Sequence, residues 1–144
     1  MITTGLFTSN ADDWATPKAL FAELNAEFSF TLDVCANNLN YKVDNYFDKE
    51  IDGLQQNWLG HICWMNPPYG KAIKAWMAKA HETWLQGGTV VCLVPARTDT
   101  AWWHDYAMKA PEIRFLRGRI KFEKPNTKSD PAPFPSAIVI FRQS

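Results

Sequence analysis

At 144 residues and 47% apolar content, the chain is long enough for one core and ordinary in composition for a globular domain. Fifteen Lys/Arg balance fifteen Asp/Glu, so overall charge selects no polyanion or membrane surface as partner. No apolar run nears the ~20 residues of a spanning helix. Met1 to Asn10 carry no leader pattern, so a cytoplasmic location and no membrane partner are expected.

In chain order, Thr16 and Pro17 open a helix over Lys18 to Asn25, with Thr16 as N-cap and Pro17 at the first helical position. Leu20, Phe21 and Leu24 form its apolar stripe. Phe30 to Ala36 predicts a first strand with Asp33 near its end, and Asn37 to Asn40 a polar turn. Residues 44–50 have room for a short second strand, after which Asp52-Gly53-Leu54 turns toward Trp58. His61 to Met65 reads as a buried strand. Lys71 to Gln86 predicts a helix with Ile73, Trp76, Met77, Ala80 and Trp84 on one face, ended by Gly87-Gly88.

Thr89 to Val94 is a continuous β-branched run, the mark of a strand covered on both faces. Asp99 to Lys109 reads as a helix and Ile113 to Leu116 as a strand. Gly118 turns into Arg119 to Phe122, a Pro-rich loop covers 123–135, and Ala137 to Phe141 is the last strand. Strands alternate with helices until the end, where strands follow one another directly. The pattern predicts an α/β fold in a single domain over 1–144, its sheet mostly parallel with an antiparallel C-terminal strand.

Cys35, Cys63 and Cys92 are odd in number, and each falls in a presumed core strand. They read as small buried hydrophobes in a reducing compartment, neither disulfides nor a zinc site. His61, His81 and His104 lack metal-ligand spacing, so no metal is expected.

The most informative string is Asn66-Pro67-Pro68-Tyr69 before Gly70. It follows a strand, and in open α/β sheets ligands sit outside that strand end. Consecutive prolines remove two N–H donors and leave outward carbonyl acceptors. The Asn66 oxygen and the neighbouring backbone carbonyl suit one NH2 group, with Tyr69 stacked on the ring that carries it. Two acceptors around such an amine restore its lone pair to nitrogen, so an electrophilic methyl held in line can be attacked directly.

Charge is unevenly spread. Residues 1–70 hold three Lys/Arg and nine Asp/Glu, whereas residues 71–128 hold eleven and five. An acidic half suits a cationic sulfonium, and a basic half suits phosphates. Arg97 follows another strand end, on the side expected for Asn66. Arg117, Arg119, Lys121 and Lys124 alternate with apolar residues, which puts them on one strand face, either as a phosphate-binding row or as a charged, solvated edge. Asp44 and Glu50 are candidate acceptors for ribose hydroxyls.

The chain resembles the small DNA N6-adenine methyltransferases typical of phages and prophages. The matching residues are Trp14-Ala15-Thr16-Pro17 with Leu20-Phe21, Leu32-Asp33-Val34-Cys35-Ala36, Asp52-Gly53-Leu54 with Trp58, and Trp64-Met65-Asn66-Pro67-Pro68-Tyr69-Gly70. They continue through Leu93-Val94-Pro95-Ala96-Arg97-Thr98-Asp99-Thr100 and Phe115-Leu116-Arg117-Gly118-Arg119-Ile120-Lys121-Phe122. The resemblance implies a Rossmann-like class I methyltransferase sheet, S-adenosylmethionine as donor and adenine in double-stranded DNA as acceptor.

It also implies roles. Asn66, Pro67 and Tyr69 are expected to grip the amine and stack on the base, with Asn66 also beside the donor. Thr16, Pro17, Asp33 and Asp52 are expected to bind the cofactor. Arg97, Arg117, Arg119 and Lys121 are expected on the DNA. Two features depart from the wider superfamily: Ala36-Asn37-Asn38 replaces its glycine-rich turn, and no separate target-recognition domain is visible. The same grip would also fit a planar amine of RNA or of a protein glutamine. The missing glycines leave room for a non-catalytic DNA-binding module of the same fold. A monomer and a weak dimer are both compatible with the sequence.

Overall fold

The computed structural model describes residues 14–125 and 130–144. The stretch Met1 to Asn10 and residues 126–129 of the Pro-rich loop therefore lie outside the described residues. Among the described residues, one mixed sheet of five strands is accompanied by three α-helices. In chain order the elements are helix α1 (Lys18–Phe28), strands β1 (Leu32–Asp33) and β2 (Ile62–Met65), helix α2 (Ile73–Leu85), strand β3 (Thr89–Pro95), helix α3 (Ala101–Asp105), and strands β4 (Glu112–Phe115) and β5 (Ser136–Phe141).

The sheet order is β1-β2-β3-β5-β4. β1, β2 and β3 are parallel, and β5 runs antiparallel to both β3 and β4. The last strand thus inserts between two strands that point the other way, as the uninterrupted C-terminal strands predict.

Strict alternation along the central strands splits the core in two. Cys63, Met65, Val90, Cys92, Val94, Ala137, Val139 and Phe141 pack on α2 and α3. Trp64, Val91, Leu93, Ile138 and Ile140 pack on Phe21, Leu24 and Phe28 of α1, with Ile120 and Phe122 beside them. The second face is markedly aromatic: Phe21 meets Trp64 edge-on at 5.3 Å, and Phe30 stacks on Phe21 at 5.5 Å.

Several boundaries differ from the sequence reading. α1 begins with Pro17 at the N-cap position and no side-chain cap. Glu123 instead accepts from the Lys18 amide at 3.0 Å. The first strand is shorter than Phe30 to Ala36, because the chain turns after Val34. Expected strand 44–50 reduces to one parallel bridge, Asp33 to Tyr46, since Asp48 spends its carboxylate on the Ile51 amide of a following turn. The helix expected over 99–109 breaks at Tyr106 into α3 and a 3-10 turn, Ala107–Lys109. Residues 119–122 carry only an isolated bridge, Lys121 to Pro131, yet Ile120 and Phe122 are buried while Arg119 and Lys121 are exposed, so the predicted period of two holds.

Gly53 sits where no side chain fits. A Cβ there would lie 2.1 Å from the Val34 carbonyl oxygen and 3.1 Å from the Trp76 ring. This close approach locks the 3-10 turn Gly53–Gln55 onto the first strand, helped by the Trp58 indole donating to the Gly53 carbonyl at 2.8 Å.

Candidate active site

β2 and β3 both deliver their C-terminal ends to one cleft of about 910 Å³. Asn66, Pro67, Pro68 and Tyr69 line it directly after β2, and Arg97 lines it just after β3. The opposite wall comes from Cys35, Ala36, Asn37 and Asn40 after β1, and from Phe47 to Glu50 with Asp52 and Gly53.

Asn66 is held on both sides. Its Nδ2 donates to Thr16 Oγ1 at 3.2 Å, and its Oδ1 accepts from the Tyr69 hydroxyl at 3.1 Å. That hydroxyl also lies 3.4 Å from the Leu93 carbonyl oxygen. Burial pushes the Tyr69 phenol far above its ordinary range, so it stays a neutral donor. The Tyr69 ring meets Phe134 edge-on at 5.4 Å and Phe122 at 6.2 Å. In this state Tyr69 closes over the Asn66 oxygen.

The two acids fall in different places. Asp52 lines the cleft, with its carboxylate on its own turn, accepting from the Leu54 amide at 3.2 Å. Its φ of 59° is a conformation that Asp tolerates better than most residues. Asp33 is 2% exposed and does not line the cleft. Its two oxygens accept from the Cys35 amide at 3.3 Å and the Lys42 amide at 3.0 Å, spanning the loop that forms the cleft wall. Burial pushes its carboxyl up to about 7, against the pull of those two amides.

Thr16 is 1% exposed and also off the cleft surface, and Pro17 sits half-buried at the head of α1. Arg97 is exposed, its guanidinium 5.6 Å from the Phe134 ring centre. Arg117, Arg119 and Lys121 lie outside the cleft and exposed, with Arg119 reaching the Ala132 carbonyl at 3.4 Å. Glu50 and Asn37 line the cleft, whereas Asp44 and Asn38 do not.

Phe122 and Phe134 line the cleft but were not anticipated as site residues. Phe134 stands between Pro133 and Pro135, and that flanking was the available signal for an aromatic on a stiff loop. Asp48, Glu50 and Asp52 also line the cleft, as does Lys49. Among the described residues no group of three or more His, Cys, Asp or Glu is placed to hold a metal, and no helix is long and apolar enough to cross a membrane.

Comparison with known proteins finds a family match and named relatives. The family described as DNA N-6-adenine-methyltransferase (Dam) matches residues 3–144. The DNA N-6-adenine-methyltransferase of Haemophilus phage HP1 (strain HP1c1) is 34% identical over 138 residues, covering 92% of this chain and 80% of that protein. The protein of the same description from Escherichia phage T1 is 30% identical over 109 residues, covering 73% of this chain and 44% of that protein. With a strand-end Asn-Pro-Pro-Tyr opening on a cleft and a family match along nearly its whole length, the chain belongs to the DNA N-6-adenine-methyltransferase (Dam) family.

Proposed function

We propose that the chain is a single-domain, Rossmann-like class I enzyme that moves a methyl group from S-adenosylmethionine to the N6 amine of adenine in double-stranded DNA, in the cytoplasm. The observation that carries this reading is Asn66 at the C-terminal end of β2, lining a cleft of about 910 Å³ beside two prolines and an aromatic ring. The residues present suit the donor. Asp48, Glu50 and Asp52 line a wall fit for a cation and for ribose hydroxyls, while Phe47 and Trp76 add apolar surface.

When bound, the sulfonium supplies an electrophilic methyl whose C–S pair returns to sulfur as the amine nitrogen forms the new N–C bond, and the amine then releases one proton to water. The chain's own residues prepare that nitrogen. Asn66 Oδ1 and the Pro67 carbonyl accept its two hydrogens and return its lone pair from the ring. The amide oxygen has two acceptor positions, so the Tyr69 hydroxyl does not exhaust it. The adenine leaves the duplex to reach the site, which costs a few kcal/mol, offset by stacking on Tyr69. Arg97, Arg117, Arg119 and Lys121 hold backbone phosphates, giving affinity without sequence information.

Among the acids, Asp52 touches the donor directly and Asp33 acts by bracing the 35–42 loop. Thr16 and Pro17 anchor the segment behind Asn66.

The test is incubation of the protein with labelled donor and duplex DNA, followed by nucleoside analysis. N6-methyladenine is the expected product, and Asn66→Ala removes it while donor binding survives. Label appearing in ribosomal RNA or in protein glutamine instead would reassign the substrate. Calorimetry that detects no donor binding would reduce the chain to a DNA-binding module.

A further inference from the structure

The geometry points to Thr16 as a positioning residue for methyl transfer, one that holds the Asn66 carboxamide in place at the cleft for the incoming amine; this rests on the amine-gripping reading of Asn66. A threonine at a Thr-Pro helix start ordinarily spends its hydroxyl on the backbone of the first turn. Here the helix has no side-chain cap, and the Lys18 amide goes to Glu123 instead. The Thr16 hydroxyl is directed to Asn66, fifty positions away, at 3.2 Å.

The segment around Thr16 is built to be immobile. Ala15 exchanges two backbone hydrogen bonds with Glu123, at 2.7 and 2.9 Å, and Pro17 fixes φ at −54° on the other side. Thr16 itself is 1% exposed and lies off the cleft that Asn66 lines. A carboxamide presents a donor at one end and an acceptor at the other. With Nδ2 on Thr16, Oδ1 lies on the side of Tyr69; because a hydroxyl can donate or accept, what Thr16 fixes is the position of the carboxamide plane. Thr16 acts through Asn66 and touches neither substrate.

Steady-state methylation of an adenine-containing duplex with labelled S-adenosylmethionine tests this in three variants. Thr16→Val keeps the shape and removes the hydroxyl. Its kcat should fall about fivefold, the usual net worth of one neutral hydrogen bond. Its affinity for S-adenosylmethionine by calorimetry should stay at the wild-type value. Thr16→Ser retains the hydroxyl and should recover kcat to within about twofold of wild type.

An unchanged kcat in Thr16→Val overturns the assignment. So does a loss of donor affinity equal to the loss of turnover, which would make Thr16 a donor contact. A Thr16→Ser variant as slow as Thr16→Val also overturns it, because the methyl group would then be the part that matters. If Thr16→Val does not fold, Thr16→Ala against Thr16→Ser supplies the same comparison. Asn66→Ala separates the two levels: full turnover there removes the amine-gripping reading itself, whereas its loss beside an intact Thr16→Val removes only the role of Thr16.

Discussion

Asp33→Asn isolates the electrostatic part of the clamp that shapes the cleft wall. The carboxyl is buried, and its pKa rises from 3.8 to about 7 because desolvation outweighs the two amides it accepts from. Between those two values the folded chain keeps a proton that the unfolded chain has released. Stability therefore falls as pH climbs from about 4 to about 7, and it levels off above. At about 1.4 kcal/mol per tenfold, the whole fall is on the order of 4 kcal/mol.

The substituted amide keeps the shape but cannot titrate. It turns an NH2 group toward one of the two backbone amides and strands that donor, at about 1–3 kcal/mol. At pH 4, where little of that fall has occurred, the variant should thus be less stable than wild type by about 0.5–2.5 kcal/mol, and at pH 5 about level with it. At pH 8 the cost of the buried charge has gone, and the variant should be the more stable by about 1–3 kcal/mol. Urea unfolding followed by tryptophan fluorescence at pH 4, 5, 6, 7 and 8 reads the crossing directly, provided the denaturant slope stays constant. Parallel curves, with the variant below wild type throughout, would refute the reasoning and make Asp33 an ionised carboxylate satisfied by its two amides.

Tyr69→Phe removes the hydroxyl that now occupies the Asn66 oxygen but keeps the ring. Turnover should hold within about twofold, whereas Tyr69→Ala, which loses base stacking, should fall about tenfold or more in steady-state assays. A steep loss in Tyr69→Phe would give the hydroxyl a task in transfer. Gly53→Ala drives a Cβ to 2.1 Å from a backbone oxygen, so thermal unfolding should register a loss of about 3 kcal/mol or more. A variant with a wild-type melting temperature would show that this turn yields. Arg119→Ala combined with Lys121→Ala should lower the slope of log K against log salt for DNA binding by about 1 per residue, with site preference unchanged. An unaltered slope would place both side chains away from phosphate.

How legible was this in the sequence? Continuous apolar runs gave β2, β3 and β5 to within a residue or two, because strands buried on both faces have no other way to be written. Four of the five residues expected on the buried face of α2 are there; Thr83 replaces Trp84, whose indole donates to the Arg142 carbonyl. Failures concentrate where short polar side chains compete with the ladder. Asp33 and Asp48 bond nearby backbone amides, of Cys35 and Ile51, and end the extended runs that residue pattern alone suggested. In the site, the Asn66-to-Tyr69 string was legible because all of its chemistry is contiguous. Phe122 and Phe134 were not, since they reach Tyr69 only through packing of segments far away in the chain.

The loop that stands in place of a glycine-rich turn explains how the cleft is kept in shape without glycine. None of residues 34–42 takes a positive φ. Asn37 Oδ1 accepts from the Leu39 and Asn40 amides at 2.9 and 3.1 Å, and Asn40 Oδ1 accepts from the Asn37 amide at 2.8 Å. Side chains thus supply the turn that glycine elsewhere permits. Asn40 then donates to the Trp14 carbonyl at 3.2 Å, and the Trp14 ring stacks on Phe122 at 6.1 Å, itself a neighbour of Tyr69. The wall after β1 and the aromatic wall around Tyr69 therefore meet at Trp14. A shift of either wall moves a residue held by the other, which ties the shape of the wall after β1 to the position of the ring that closes over Asn66.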